Sequence, residues 1–268
     1  MRVHHLNCTT ICPPLGPLRR FLVNERGELV CHCLLIETSR GLVLVDTGFS
    51  ERDLSEPRRL PGSLRASIVA DPDRSAVRQV RRLGFQPKDV TDVIVTHLDL
   101  DHAGGLVDFP EARVHIYARE HRAAMARESL YEKLRYLPSQ WRHAPRWVLH
   151  DVAGERWEGF EAVTQLGDLP PEILLVPLTG HSRGHSGIAV KSDRGWLFHC
   201  GDAYFYHGEV HPIPRGTPGL SLFEWLDDAD RPTRLLNQAR LRDLATRSAG
   251  RIRIFCAHDP IEFASFVA

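Results

Sequence analysis

Four residues able to bind a metal or move a proton are crowded into one short run: His97, Asp99, Asp101 and His102, in "THLDLDHAGG". The run ends the apolar stretch "VTDVIV", and charge at the mouth of a buried strand is costly unless something compensates it. Neutral imidazoles and carboxylates are the ligand set of zinc, iron and manganese, so a cation is the natural compensation. Three further segments repeat the pattern: "TGHSRGHSG" brings His181, "HCGDA" brings Asp202 and "CAHDP" brings His258. A single histidine at a strand end is more often a hydrogen-bonded core residue than a ligand, and an aspartate after glycine more often caps a turn. Four apolar runs that all stop at such residues are hard to explain that way. Loops leaving neighbouring strand ends converge, and a partly buried cluster of acids needs a cation partner. Asp202 is suited to bridging two cations. His185 reads as hydrogen-bonding support across the sheets rather than as a ligand. The histidines at 4, 5, 32, 115, 121, 143 and 150 belong to no motif.

The elements that must carry these residues alternate between strand and helix patterns. Strands are expected over Leu29–Glu37 and Leu42–Asp46, with a turn at Ser39-Arg40-Gly41. A helix capped by Asp73 or Ser75 and closed by Gly84 and Pro87 should precede the strand that delivers His97. After it come the strand "VHIYARE" and the helical run "EHRAAMARESLYEKLRYL". The second half offers strands in "EILLVPLTGH", "SGIAVKS", "GWLFHCGDA" and "RIRIFCAHD". Between the last two lies an amphipathic helix, "PTRLLNQARLRDLATRSA", expected to carry Leu235, Leu236, Ala239 and Leu244 on or near one face. Two loosely similar halves of this kind predict sheets packed together with helices outside.

With 268 residues, 43% of them hydrophobic and 25% charged, the chain can bury a sizeable core. Its formal net charge of zero argues against a nucleic-acid partner. The start, "MRVHHLNCTTICPPLGPLRR", has no apolar core of a signal peptide, and no window is apolar for long enough to span a bilayer. A cytoplasmic protein is therefore expected. Cys8, Cys12, Cys31 and Cys33 have spacings that match zinc ribbons poorly.

The ordered set "VLVDTG", "THLDLDHAGG", "TGHSRGHS", "CGDA" and "CAHD" resembles the metallo-β-lactamase-fold hydrolases, over about Leu29 to Asp259. The resemblance implies an α/β fold, a four-layer αβ/βα sandwich of two mixed sheets face to face with helices outside. It covers the chain as a single domain, 1–268. It implies a dinuclear metal centre at one edge, with Asp46 as a structural residue near it. His97, Asp99 and His181 would serve the first metal, Asp101, His102 and His258 the second, and Asp202 would bridge. The departure is Asp99, where most of these hydrolases carry histidine in H-x-H-x-D-H. If Asp99 reaches its ion, oxygen replaces nitrogen and preference moves from zinc toward iron or manganese; if it does not, one metal is held more firmly than the other. Two divalent transition-metal ions, zinc foremost, are the expected cofactors.

The implied activity is hydrolysis by a metal-activated hydroxide that opens a lactone or cleaves a related small ester or thioester. Asp101 would also orient the nucleophile. Size and spacing are similar to acyl-homoserine lactonases, which carry a tyrosine shortly after the bridging aspartate; Tyr204 is the candidate here, with Tyr206 nearby. A lid insertion is expected around 119–150 and a site-lining loop around 204–225, both rich in aromatics. They predict a partly apolar small-molecule substrate and leave a homodimer open. The alternative on the same fold is a redox enzyme such as a mononuclear iron thiol or persulfide dioxygenase.

Overall fold

A computed structural model describes residues 1–151, 154–248 and 250–267. Its first sheet runs in the order β1 (Arg2–Ile11), β2 (Leu29–Thr38), β3 (Gly41–Val45), β4 (Val90–Ile94), β5 (Arg113–Tyr117) and β6 (Arg146–His150). β1, β2 and β3 are antiparallel neighbours, whereas β3 through β6 are parallel. The second sheet contains β7 (Glu155–Trp157), β8 (Phe160–Gln165), β9 (Ile173–Pro177), β10 (Ser186–Ser192), β11 (Gly195–His199) and β12 (Ile252–Phe255). Its spatial order is β12-β11-β10-β9-β8-β7, antiparallel except where β12 joins β11.

The two sheets meet through a shared core. Leu34, Ile36, Val43, Val45 and Ile94 of the first sheet pack with Ile173, Leu175, Ile188, Val190 and Phe255 of the second. Alternate residues of the same strands, among them Cys33, Leu35, Leu44 and Val93, turn the other way and pack with Val77 and Val80 of the helix Ala76–Arg82. Val176, Ala189 and Phe198 likewise lie with Leu241 and Leu244 of the helix Arg231–Arg247. Both faces of each sheet are thus covered, which is why these strands read as continuous apolar runs and not as alternation. This is the expected four-layer αβ/βα sandwich of two mixed sheets. Among the described residues no helix is long and apolar enough to cross a membrane.

The strands β1, β6, β7 and β8 are not among those expected, and three further segments differ. The helical run from 120 to 137 is two helices, Ala118–Ala126 and Leu130–Arg135. Arg127 takes a left-handed φ of 46° that closes the first. Ser129 opens the second by accepting from the Glu132 amide at 3.1 Å, while the Glu132 carboxylate accepts from the Ser129 amide at 3.0 Å. Because β6 then pairs with β5, residues 118–150 form a crossover that completes the first sheet. The segment around 204–225, expected as loop, runs into the helix Pro218–Asp227. In the helix Arg231–Arg247, Leu235 and Leu236 are exposed. Its buried face is Arg234, Asn237, Gln238, Leu241 and Leu244, with Arg234 paired to Asp228 at 2.6 Å and Glu224 at 3.1 Å. Of the expected apolar stripe Leu244 is buried, whereas Leu235 and Leu236 turn outward because buried ion pairs took over part of the inward face.

Candidate metal centre

Asp46, just past β3, organises the site. It sits at φ 55°, an uncommon conformation for a residue other than glycine. One carboxylate oxygen accepts from the Thr96 amide at 2.7 Å; the other accepts from the Thr96 hydroxyl at 2.8 Å and lies 2.9 Å from His102 Nδ1. These bonds fix protons on two rings. The Thr96 hydroxyl gives its hydrogen to Asp46, so it can only accept from His97 Nδ1, 3.0 Å away. His102 Nδ1 donates to Asp46. In the neutral form each ring then has its lone pair on Nε2. His258 is set the same way, its Nδ1 donating to the Val30 carbonyl at 2.8 Å.

Those lone pairs converge. His102 Nε2 and His258 Nε2 face each other at 3.3 Å, and Asp202 lies 3.2 Å from the first and 3.1 Å from the second. Asp101 stands at 3.6 Å from His258 Nε2 and 3.9 Å from His102 Nε2. On the other side of Asp202 are His97 Nε2 at 3.8 Å and His181 Nε2 at 3.5 Å. His97 Nε2 and one Asp202 oxygen are buried without any hydrogen-bond partner. Facing lone pairs and orphaned buried acceptors are unfavourable by themselves and are relieved by a proton or a metal cation. The residues therefore fit divalent ions, which they can hold in two groups: His102, His258 and Asp202, with Asp101 beside them, and His97, His181 and Asp202.

The charges follow the same logic. Burial pushes the Asp202 carboxyl up, but the His102 and His258 rings outweigh it and hold it well below the carboxylate range. Burial pushes His102 down, and Asp202, Asp101 and Asp46 overcome that and raise it well above an ordinary imidazole; His258 moves up for the same reason. A field that draws a proton to this spot draws a divalent cation more strongly.

Asp99 is placed differently from a simple histidine replacement. It lies 3.2 Å from His97 Nε2 and 3.3 Å from His181 Nε2, inside the first group. Yet both its oxygens are held by the Arg135 guanidinium, at 2.6 and 2.5 Å. Burial raises its carboxyl, but the Arg135 charge outweighs that and holds it well below the usual range.

Tyr204 does not reach the cluster. Its ring is in the core under the second sheet, and its hydroxyl donates to the Glu262 carboxylate at 3.0 Å. The expected role as a donor to a substrate carbonyl is therefore corrected. Phe205 takes the place beside the cluster, stacked on His258 with ring centres 4.9 Å apart. Tyr206 turns away to Glu25. His185 supports as expected: its Nδ1 donates to the Leu178 carbonyl at 2.8 Å, and its Nε2 accepts from the Asp202 amide at 2.8 Å. Gly201 makes room for this, since a Cβ there would stand 2.5 Å from His185 Nε2.

Sequence reasoning missed two further residues. Glu120 is fully buried and accepts from the Leu98 amide, the Gly184 amide, the Ser182 hydroxyl and the Tyr136 hydroxyl. It ties the loop after β4 to the loop after β9. Cys31 on β2 is also close, its sulfur within 4.8 Å of ligand atoms of Asp101 and His258. Neither sits in a motif, and Glu120 lies in the polar helix Ala118–Ala126, where one more acid carries no signal; for Cys31 the one hint was a cysteine in an apolar strand.

Residues 26–252 match the metallo-beta-lactamase superfamily. The chain belongs to that superfamily. It is 39% identical to a probable metallo-hydrolase of Mycobacterium tuberculosis over 268 residues, covering 97% of this chain and 81% of that one. An N-acyl homoserine lactonase of Bacillus cereus is 27% identical over 175 residues, 63% of this chain and 62% of that one. The backbone superposes on an N-acyl homoserine lactone hydrolase solved with N-hexanoyl-L-homoserine at its catalytic metal center. The TM-score is 0.72 at 19% identity, over 98% of this chain and 95% of that one, a likeness of fold. The protein is accordingly a metal-dependent hydrolase.

Proposed function

We propose that this metallohydrolase opens a lactone, or cleaves a related small ester or thioester, at a centre of two divalent ions. The observation that carries the reading is the convergence of His102 and His258 Nε2 on Asp202, whose other side faces the orphaned His97 nitrogen. His102, His258, Asp101 and Asp202 would hold one ion; His97, His181, Asp99 and the shared Asp202 would hold the other. When bound, such ions supply Lewis acidity and a water acidic enough to ionise near neutrality. Zinc suits the imidazole-rich set, and the oxygen of Asp99 moves the balance toward iron or manganese.

The protein's own groups do the rest. Asp46, directly on His102 and through Thr96 on His97, holds the Nδ1 protons of two rings and so turns their Nε2 atoms toward the centre. Asp101, among the least buried carboxylates of the cluster with 21% of its side chain exposed, would orient the attacking water and accept its proton. Phe205 covers His258, and Phe223 meets Phe205 edge-on at 5.5 Å with its other side exposed. This apolar wall next to the centre suits a partly apolar small molecule and supports the substrate class borne by the N-acyl homoserine lactonase relative. The redox alternative is set aside because the relatives above are hydrolases. A cytoplasmic setting is proposed with this reading, and six unpaired cysteines suit it.

The test begins with metal analysis of protein purified without chelators, then a panel of lactones and thioesters with oxygen uptake monitored. The expected result is transition metal in roughly stoichiometric amount, lactone hydrolysis without oxygen consumption, and joint loss of metal and activity in His102→Ala. Full lactonase activity in metal-free protein would refute the proposal.

A further inference from the structure

Arg135 is the last residue of the helix Leu130–Arg135, and its side chain is only 5% exposed. Nε donates to one Asp99 oxygen at 2.6 Å and Nη2 to the other at 2.5 Å. The same Nη2 rests against His181 Nε2. Nη1 donates to the Asp227 carbonyl at 2.9 Å, the His181 carbonyl at 3.0 Å and the Tyr131 hydroxyl. A forked guanidinium on a buried carboxylate is among the strongest polar contacts a protein makes. Here it occupies two of the atoms needed by one metal group, and His181 Nε2 has a single lone pair that cannot serve a guanidinium and a metal ion together.

The helix that carries Arg135 buries little apolar surface of its own; its end is pinned by Tyr136, which packs in the core and bonds Glu120 at 3.0 Å, and Glu132 pairs with Arg183 at 3.2 Å. Leu130 and Leu134 are 73% and 74% exposed, and the helix's buried side chains, Glu132 and Arg135, are both charged. Its anchorage near the site is polar and runs through Arg135 and Tyr131, whose hydroxyl also donates to the Asp227 carbonyl at 2.5 Å. Segments held by few apolar contacts open at low free-energy cost. In contrast, among the described residues no arginine or lysine hydrogen-bonds or ion-pairs with His102, His258 or Asp101.

We propose that Arg135 is a latch on the half-site formed by His97, Asp99, His181 and Asp202: this half-site takes a divalent ion only when the guanidinium withdraws, carrying the helix Leu130–Arg135 with it. The inference rests on the metal-centre reading above and adds an order of events. The half-site of His102, His258, Asp101 and Asp202 fills first. Filling of the other then competes with Arg135 and frees the helix beside the centre. Asp99 is the element that makes the latch, because a histidine at this position would offer the guanidinium no carboxylate to grip.

Metal-stripped full-length protein titrated with Co²⁺ tests this, with visible absorption and chelator competition reporting each equivalent. Amide exchange over residues 130–136 is followed after the first and second equivalents. Wild-type protein should bind one equivalent tightly and a second more weakly, and the helix should lose protection only with the second. Arg135→Gln should tighten the second equivalent on the order of 10- to 100-fold, the worth of a charge-assisted contact, with the first unchanged. Arg135→Lys, which keeps the charge without the fork, should fall between. Asp99→Asn, which weakens the grip while keeping the arginine, should raise helix exchange before any metal is added; this readout decides the matter if Arg135→Gln does not fold. An unchanged or weaker second equivalent in Arg135→Gln, or wild-type exchange in Asp99→Asn, would overturn the latch while leaving the metal centre intact. Failure of wild-type protein to bind any Co²⁺ would overturn both.

Discussion

Asp46→Asn is the sharpest probe of how the centre is held. The substitution keeps shape and removes one acceptor. If the amide nitrogen takes the position of the shared oxygen, it faces the Thr96 hydroxyl and His102 Nδ1, now 2.8 and 2.9 Å from an acceptor. If the amide is turned over, it faces the Thr96 amide, 2.7 Å from the other oxygen. Each orientation strands at least one buried donor, at about 1 to 3 kcal/mol. The larger effect is on tautomers. Without a carboxylate to receive it, the His102 proton can move to Nε2, and the ring then presents N–H to the centre where it had offered a lone pair. Removing a support of this kind costs roughly 10- to 100-fold in metal affinity, or about 1.4 to 2.7 kcal/mol. Zinc affinity by chelator competition should fall by that factor, and the rise in Tm on adding zinc should shrink accordingly. Thermal unfolding of the metal-free forms separates this from general destabilisation. Zinc binding within about twofold of wild type, in a variant that folds, would refute the tautomer argument.

Two further outcomes follow from the charges. His102 and His258 are raised above the ordinary imidazole value because Asp202 and Asp101 outweigh their burial, so protons compete with metal from a higher pH than the usual ~6.5. Metal affinity should fall as pH drops through neutrality, with more than one proton taken up per ion lost; an affinity flat from about pH 8 to about pH 6 would contradict the assignment of these rings as ligands. Glu262 gives the opposite sign for stability. Burial, then the charge of Asp259, push its carboxyl up to about 8, against the Cys256 amide and the Tyr204 hydroxyl. The folded protein thus keeps a proton that the unfolded chain releases near its ordinary value of ~4.3. Stability is lost as pH rises between those values, by at most about 5 kcal/mol. Glu262→Gln should flatten Tm against pH over that window, and an unchanged slope would show that another group carries it.

Much of this site could be read from one dimension because its ligands end buried strands. The runs before His97, Asp202 and His258 are largely apolar, though Thr91 and Arg253 within them are exposed, and a polar residue that closes such a run lies at a strand end. Strand placement was legible for the same reason, since β2, β3, β4, β10 and β12 are continuous in the sequence. Helices were less so. The capping pair Ser129 and Glu132 splits a run whose periodicity looks unbroken, and Arg234 turns inward because Glu224 and Asp228 are there to meet it.

The sequence by itself determined the chemistry of the centre: imidazoles and carboxylates at converging strand ends, with an aspartate at position 99. Their types fix which cations they can hold, and that is a local property. Only the tertiary structure decided what each one faces. Tyr204, two residues from Asp202, turns into the core toward Glu262, because adjacent residues leave the chain in different directions. Arg135, 36 positions from Asp99, comes to rest on it. A carboxylate's role depends on the charge brought next to it, and for Asp99 that charge arrives on a helix from the crossover between β5 and β6.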